Sequence, residues 1–137
     1  MSLEKAREHA ARWLQQAKAD LKAAASSTTA GSHEWACFQS QQSGEKALKA
    51  LWYYNGEDPW GHSLLKLIQD FPNDDVRGGL AVVVPDAQHL DKLYIATRYP
   101  NGLPDLTPTE VFSEKDARDA MEAAQRIIDV ISTRLPV

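Results

Sequence analysis

The chain is poor in residues that staple a fold, span a membrane or cradle a phosphate. It has one cysteine, Cys37, so no disulfide can close within it and no zinc-type cluster of Cys and His exists. No apolar run approaches the roughly 18 residues that cross a bilayer. The opening MSLEKAREHAARW is charged and holds no apolar stretch of the signal-peptide kind. These absences point to the cytoplasm and away from a membrane. Positive charge is not in excess: 15 Lys and Arg stand against 19 Asp and Glu, a net charge of −4. That balance excludes bulk electrostatic grip on nucleic acid and leaves only a local basic site. Gly78-Gly79 lacks the Lys-Ser/Thr of a P-loop. Position alone defines no Ser-His-acid triad. No cofactor and no metal are expected.

What is present is helical periodicity. With 43% hydrophobic and 25% charged residues in 137, the chain can bury one core as a single domain over 1–137. Leu3, Ala6, Ala10, Trp13, Leu14, Ala17, Leu21 and Ala24 recur at the three/four spacing of one helix face. A small polar run, Ser26 to Gly31, ends that helix, and Ser32 caps the next. The second helix covers 33–54, with Trp35, Ala36, Phe38, Ala47, Leu48, Leu51 and Trp52 on its apolar side. Asn55-Gly56-Glu57-Asp58-Pro59 closes it with turn residues. A shorter helix follows with Leu64, Leu65, Leu67, Ile68 and Phe71, broken by Pro72-Asn73-Asp74-Asp75. Arg77-Gly78-Gly79 reads as a flexible joint.

The β-branched run 80–84 is the one stretch that suits a strand. The preferred reading makes most of it the start of a fourth helix, continuing through Ala87, Leu90, Leu93, Tyr94 and Thr97. Pro100 stops that helix, because proline disfavours helical geometry at Tyr99 and has no N–H to donate. Residues 101–108 form a loop. Ser113 caps a last helix, with Glu114 and Asp116 in its first turn. Its buried stripe is Ala117, Ala120, Met121, Ala124, Ile127, Ile128, Ile131 and Leu135. The expected fold is all-α: an up-and-down antiparallel bundle of four long helices plus one short one.

Polar residues within these apolar helices mark the candidate site. Asp91, Tyr94 and Arg98 stand three and four apart, on one helix face near its C-terminus. Arg98 stays charged and offers a planar fork of donors for phosphate or carboxylate. Tyr99 can stack on a base. Lys46 and Lys49 interrupt the second helix and can hold phosphate oxygens; the bland alternative is Glu45-Lys49 as a surface pair. His62 follows a glycine at a helix start, as a phosphate contact or as a helix cap. For Asp91 the bland alternative is a buried network with Lys46 or Lys49. Trp13 and Trp35 read as core, His9 and His33 as solvated, His89 as a surface or rim residue. Trp52, Tyr53 and Trp60 suit a dimer interface. Cys37 reads as a buried, inert thiol.

The order of these motifs resembles the HEPN family (higher eukaryote and prokaryote nucleotide-binding domains). The second helix carries Phe38, Gln41, Gln42, Glu45, Lys46, Lys49, Ala50 and Leu51, similar to the family's aromatic, Gln pair, Glu-Lys and Lys-Ala-Leu. Gly61-His62-Ser63-Leu64 looks like the Gly-His-x-Leu opening of its third helix. The run LDKLYIATRYP looks like the subgroup that includes the C-terminal domain of sacsin. Phe112, Asp116, Ala117, Ala120 and Ala124 agree with the family's last helix.

The resemblance implies a bundle that dimerises and either binds nucleotide or cleaves RNA, often beside a separately encoded minimal nucleotidyltransferase. Many members cut RNA with Arg-x4–6-His. Here Arg98 is followed by Tyr-Pro-Asn-Gly-Leu-Pro-Asp-Leu, and no histidine stands at that spacing from any arginine. The expectation is a ligand-binding module with no catalytic residue, its ligand held by Lys46, Lys49, His62, Asp91, Tyr94, Arg98 and Tyr99. The alternatives are an RNA-cleaving toxin with a rearranged site, using Arg98 with His62 or His89, and a helical assembly protein without chemistry.

Overall fold

The computed structural model describes residues 2–136. Every regular element among them is helical. Three long helices form the body: α1 (Leu3–Thr29), α2 (His33–Tyr54) and α7 (Glu114–Arg134). Four short ones lie between α2 and α7: α3 (Leu64–Gln69), α4 (Asp74–Gly79), α5 (Val84–Asp91) and α6 (Pro108–Val111).

Local chemistry sets most of these boundaries. Ser113 accepts from the backbone of Asp116 while the Asp116 side chain accepts from Ser113, a complete capping box that starts α7. Thr107 and Glu110 do the same for α6. Pro85 occupies the first turn of α5, where a missing N–H costs nothing. The turn between α1 and α2 is three residues long, which folds them into an antiparallel hairpin. Ser43 fastens that hairpin by donating to the Ala17 carbonyl at 2.7 Å.

The core is built on small residues. Ala10 and Ala17 of α1, Ala47 of α2, and Ala120 and Ala124 of α7 are fully buried. Without long side chains at these contacts, helix axes approach closely. Leu48, Leu51, Ile127 and Ile131 fill the remaining space. Gly44 admits Leu64 of α3 and Leu90 of α5 against α2: a Cβ there would lie 2.6 Å from one and 2.9 Å from the other. This close approach draws α3 and α5 onto the middle of α2.

Three expectations change in detail. The fourth rod is not one long helix: a 3-10 turn at Ala81–Val83 leads into α5, and the chain then winds through tight turns to Arg98. Leu93 N–H bonds Leu90 O and Arg98 N–H bonds Ile95 O, so the winding is tighter than an α-helix. Tyr99 is extended before Pro100, as a residue preceding proline prefers. The joint at Arg77-Gly78-Gly79 is ordered as α4, capped by Asn73. The Arg134 guanidinium of α7 lies directly over Gly79. Trp35, expected in the core, is 48% exposed.

Candidate functional site

Asp91 ends α5 and does not face a lysine. Its carboxylate accepts from Ser63 Oγ at 2.7 Å, from Leu64 N–H at 2.6 Å and from Leu65 N–H at 3.1 Å. These are orphan donors of the first turn of α3, so Asp91 caps that helix from a distance of 27 residues in sequence. The expected network with Lys46 or Lys49 is replaced by this cap. Asp91 therefore fixes the start of α3, and with it the residue just upstream, His62.

His62 is held on two sides. Its Nδ1 lies 3.3 Å from Glu45 Oε2, and its ring stacks on Tyr94 with centroids 4.8 Å apart and 18° between planes. Glu45 is the centre of a polar cluster on α2. It accepts from Gln41 Nε2 at 3.2 Å and from Lys49 Nζ at 3.0 Å. Gln41 also donates to the His62 carbonyl at 3.3 Å. The Glu45-Lys49 pair is not on the surface: their side chains are 6% and 12% exposed. The imidazole itself is open, at 58%. A carboxylate only accepts, so Nδ1 is the donor in this contact.

Arg98 reaches the other side of Tyr94. Its Nε and Nη2 donate to the Tyr94 carbonyl at 2.9 and 2.6 Å. The guanidinium carbon lies 4.3 Å from the centroid of Phe38, 4.7 Å from that of Tyr94 and 5.1 Å from that of Tyr99. Three rings thus surround one cation, an arrangement that holds the plane of the fork. Among the described residues no carboxylate pairs with Arg98. Tyr99 is 49% exposed, and Trp35 extends the aromatic surface beyond Phe38 at 6.1 Å.

Lys46 stands apart from this group. Its ammonium donates to Asp20 of α1 at 2.5 Å. The structure therefore joins Lys49, His62, Tyr94, Arg98 and Tyr99 into one strip through Glu45, places Asp91 beneath it as a cap, and turns Lys46 toward α1. Sequence reasoning missed Glu45 and Gln41 as the hub and Phe38 as a platform. Their spacing carried the signal: Phe38, Gln41 and Glu45 are three and four apart on one face of α2.

Burial pushes the Cys37 thiol up to about 12, with Asp116, Glu34 and Asp119 adding in the same direction, so it stays protonated and unreactive. Asp86 of α5 pairs with Arg126 of α7 at 2.8–2.9 Å and raises the arginine further. His9, expected to be solvated, is half-buried against Tyr53 at 4.4 Å. His33 is half-buried too. His89 is exposed on the rim between α5 and α7. Trp52 is half-buried, donating to Leu67 O at 3.0 Å and packing on Phe71. Among the described residues no three acidic, His or Cys side chains converge to hold a metal ion.

The sequence profile of the HEPN domain matches residues 10–134. The chain belongs to the HEPN domain family. Its structure is similar to that of TT1696 from Thermus thermophilus, with 37% identity, coverage of 92% of this chain and 98% of that one, and a TM-score of 0.85. It is also similar to ST0689, an archaeal HEPN homologue (33% identity, 92% and 97% covered, TM-score 0.75). The HEPN domain protein tm0613 of Thermotoga maritima follows the same fold at 29% identity, 91% and 98% coverage and a TM-score of 0.67. No curated protein matches the chain.

Proposed function

We propose that this protein binds a nucleotide or a related phosphorylated ligand on the strip from Arg98 to Lys49. One observation carries the reading: Arg98 is stacked among Phe38, Tyr94 and Tyr99 with no carboxylate partner among the described residues. A structural arginine normally pairs with an acid or is spent on several carbonyls. Here the fork is anchored on a single carbonyl, its charge uncompensated, beside an exposed ring. That combination suits a phosphate on the guanidinium and a base on Tyr99. The exposed His62 ring lies beside the fork across Tyr94, while Lys49 is held by Glu45 at the far end of the strip.

RNA cleavage is the second reading, and one observation favours it. Arg98 and His62 both lie within 5 Å of the Tyr94 ring centroid. His62 comes from the loop before α3, so in this reading it would stand in for the histidine of Arg-x4–6-His through tertiary contact rather than through spacing. Glu45 orients its imidazole, and the free Nε2 can take a 2′-OH proton while Arg98 holds the phosphate.

The wider reading follows the family. The exposed hydrophobic side chains of Trp35, Ile95 and Tyr99 support a homodimer, since interfaces are enriched in such residues, aromatics above all. A minimal nucleotidyltransferase as partner, in a toxin-antitoxin arrangement, rests on the family resemblance, as does placement in the sacsin-type subgroup on the run from Leu90 to Pro100. A buried free thiol at Cys37 suits the cytoplasm.

Titrating ATP, GTP and AMP against wild type and Arg98→Ala tests the first reading. Binding that weakens tenfold or more in the variant supports it, and no binding by wild type rejects it. Incubation of RNA with wild type and His62→Ala tests the second: cleavage lost in the variant would place catalysis at this strip. A nucleotidyltransferase gene beside this one would support the pairing.

A further inference from the structure

The loop that joins α2 to α3 presents a tryptophan to solvent. Trp60 is 87% exposed, the most exposed large apolar side chain among the described residues. The loop around it is anchored. Gly56 and Gly61 turn the chain at φ 76° and 82°, the left-handed region that glycine adopts freely, and Glu57 N–H bonds Trp52 O at 3.0 Å. Glu57 and Asp58 stand three and two residues before the indole. Both are exposed, and neither pairs with a cation among the described residues. The complementary surface belongs to other elements. A groove of about 530 Å³ runs between α1 and α7, lined by Leu21, Ala25 and Ile128, with Lys18 and Lys22 on α1 and Asp129 on α7. Lys18 and Lys22 are exposed and have no carboxylate partner among the described residues. They stand four apart, a like-charge spacing from which a helix gains nothing.

We infer that Trp60 of one copy seats in the α1–α7 groove of a second copy, with Glu57 and Asp58 meeting Lys18 and Lys22. The indole supplies the attraction, since tryptophan is prominent among the residues that anchor protein interfaces. The charges supply the register: two anions of the loop match two cations of the groove. Asp129 on the α7 wall repels both loop carboxylates and so turns them toward the α1 wall. Loop and groove are different surfaces, so the contact is head-to-tail, and copies add until a ring closes. It is separate from the Trp35–Tyr99 face and independent of the nucleotide reading. One loop in one groove buries less than the roughly 1,000 Å² of a stable interface, which makes the association weak and concentration-dependent.

Sedimentation velocity of the full chain, from micromolar to near-millimolar concentration, tests the inference. It compares wild type, Trp60→Ser, Lys18→Glu/Lys22→Glu, and the two variants mixed in equal amounts. All three positions carry exposed side chains, so the fold is left intact. A dimer through the Trp35–Tyr99 face is untouched by either variant and sets the baseline. Wild type is expected to associate beyond that baseline, and each variant to weaken the step by about tenfold or more, the weight of an interface anchor. The mixture should recover association, because one variant keeps the groove and the other keeps the tryptophan. Wild type that stays at the baseline, association indifferent to either variant, or a mixture no larger than its parts would overturn the inference. Loss on Trp60→Ser alone would seat the indole in a different pocket and overturn the assignment of the groove.

Discussion

His62 lies flat against Tyr94, with 4.8 Å between ring centroids and 18° between planes. The two residues come from different segments, the loop before α3 and the turns after α5. Neither segment is regular at that point, so their alignment depends on what anchors each. Glu45 and the Asp91 cap anchor the first; the Arg98 fork on the Tyr94 carbonyl anchors the second.

Replacing Glu45 should therefore loosen the site as well as the fold. Glu45→Ala removes the acceptor for Gln41 and Lys49 and leaves the largely buried ammonium unpaired. A loss of about 1–3 kcal/mol is expected in urea unfolding. His62 should also gain ring mobility, visible as broadening or averaging of its imidazole resonances.

Asp91→Ala strips three donors at the start of α3 of their acceptor. The expected cost is about 1–2 kcal/mol, and Asp91→Asn should recover part of it because an amide oxygen still accepts. Hydrogen exchange should show the amides of Leu64 and Leu65 exposed first.

The extent to which the sequence revealed this architecture follows from how local each determinant is. The bounds of α2 and the start of α7 were readable, because Gly31 at positive φ, Asn55-Gly56 and the Ser113-Asp116 box act within a few residues, although Ser32 precedes α2 without the side-chain capping bond expected of it. The rod after α5 was misread as continuous helix because turns closed by i to i−3 bonds repeat apolar residues at nearly the helical spacing. Tyr94 and Arg98 meet all the same, through a bond between residues four apart. The direction of Asp91 was not readable, since its partners lie in a helix made by another part of the chain. Lys46 and Lys49 look equivalent in sequence; the position of Asp20 on α1 separates them.

Gly44→Ala tests the close packing behind the strip. Its new methyl would press on Leu64 and Leu90 in a fully packed region. The variant should lose about 1–3 kcal/mol by overpacking, despite the better helix propensity of alanine. A thermal melt beside wild type measures it.

Cys37 should make the fold sensitive to alkali. Its thiol titrates at 9.0 without the fold's influence and at about 12 within it. Between those values the unfolded chain has released a proton that the folded chain still holds. The stabilising contribution is complete below 9.0 and is lost as pH rises through the folded value. Tyr53, raised by burial and by Asp58, acts in the same direction. Urea midpoints near about pH 8 and about pH 10.5 should diverge in wild type, and Cys37→Ala should narrow the gap.

The most direct measurement is a crystal structure grown or soaked with ATP. The account predicts a phosphate oxygen within hydrogen-bond distance of the Arg98 guanidinium and the adenine against Tyr99. Nucleotide bound elsewhere, with the Arg98 fork making no contact to it, would contradict it.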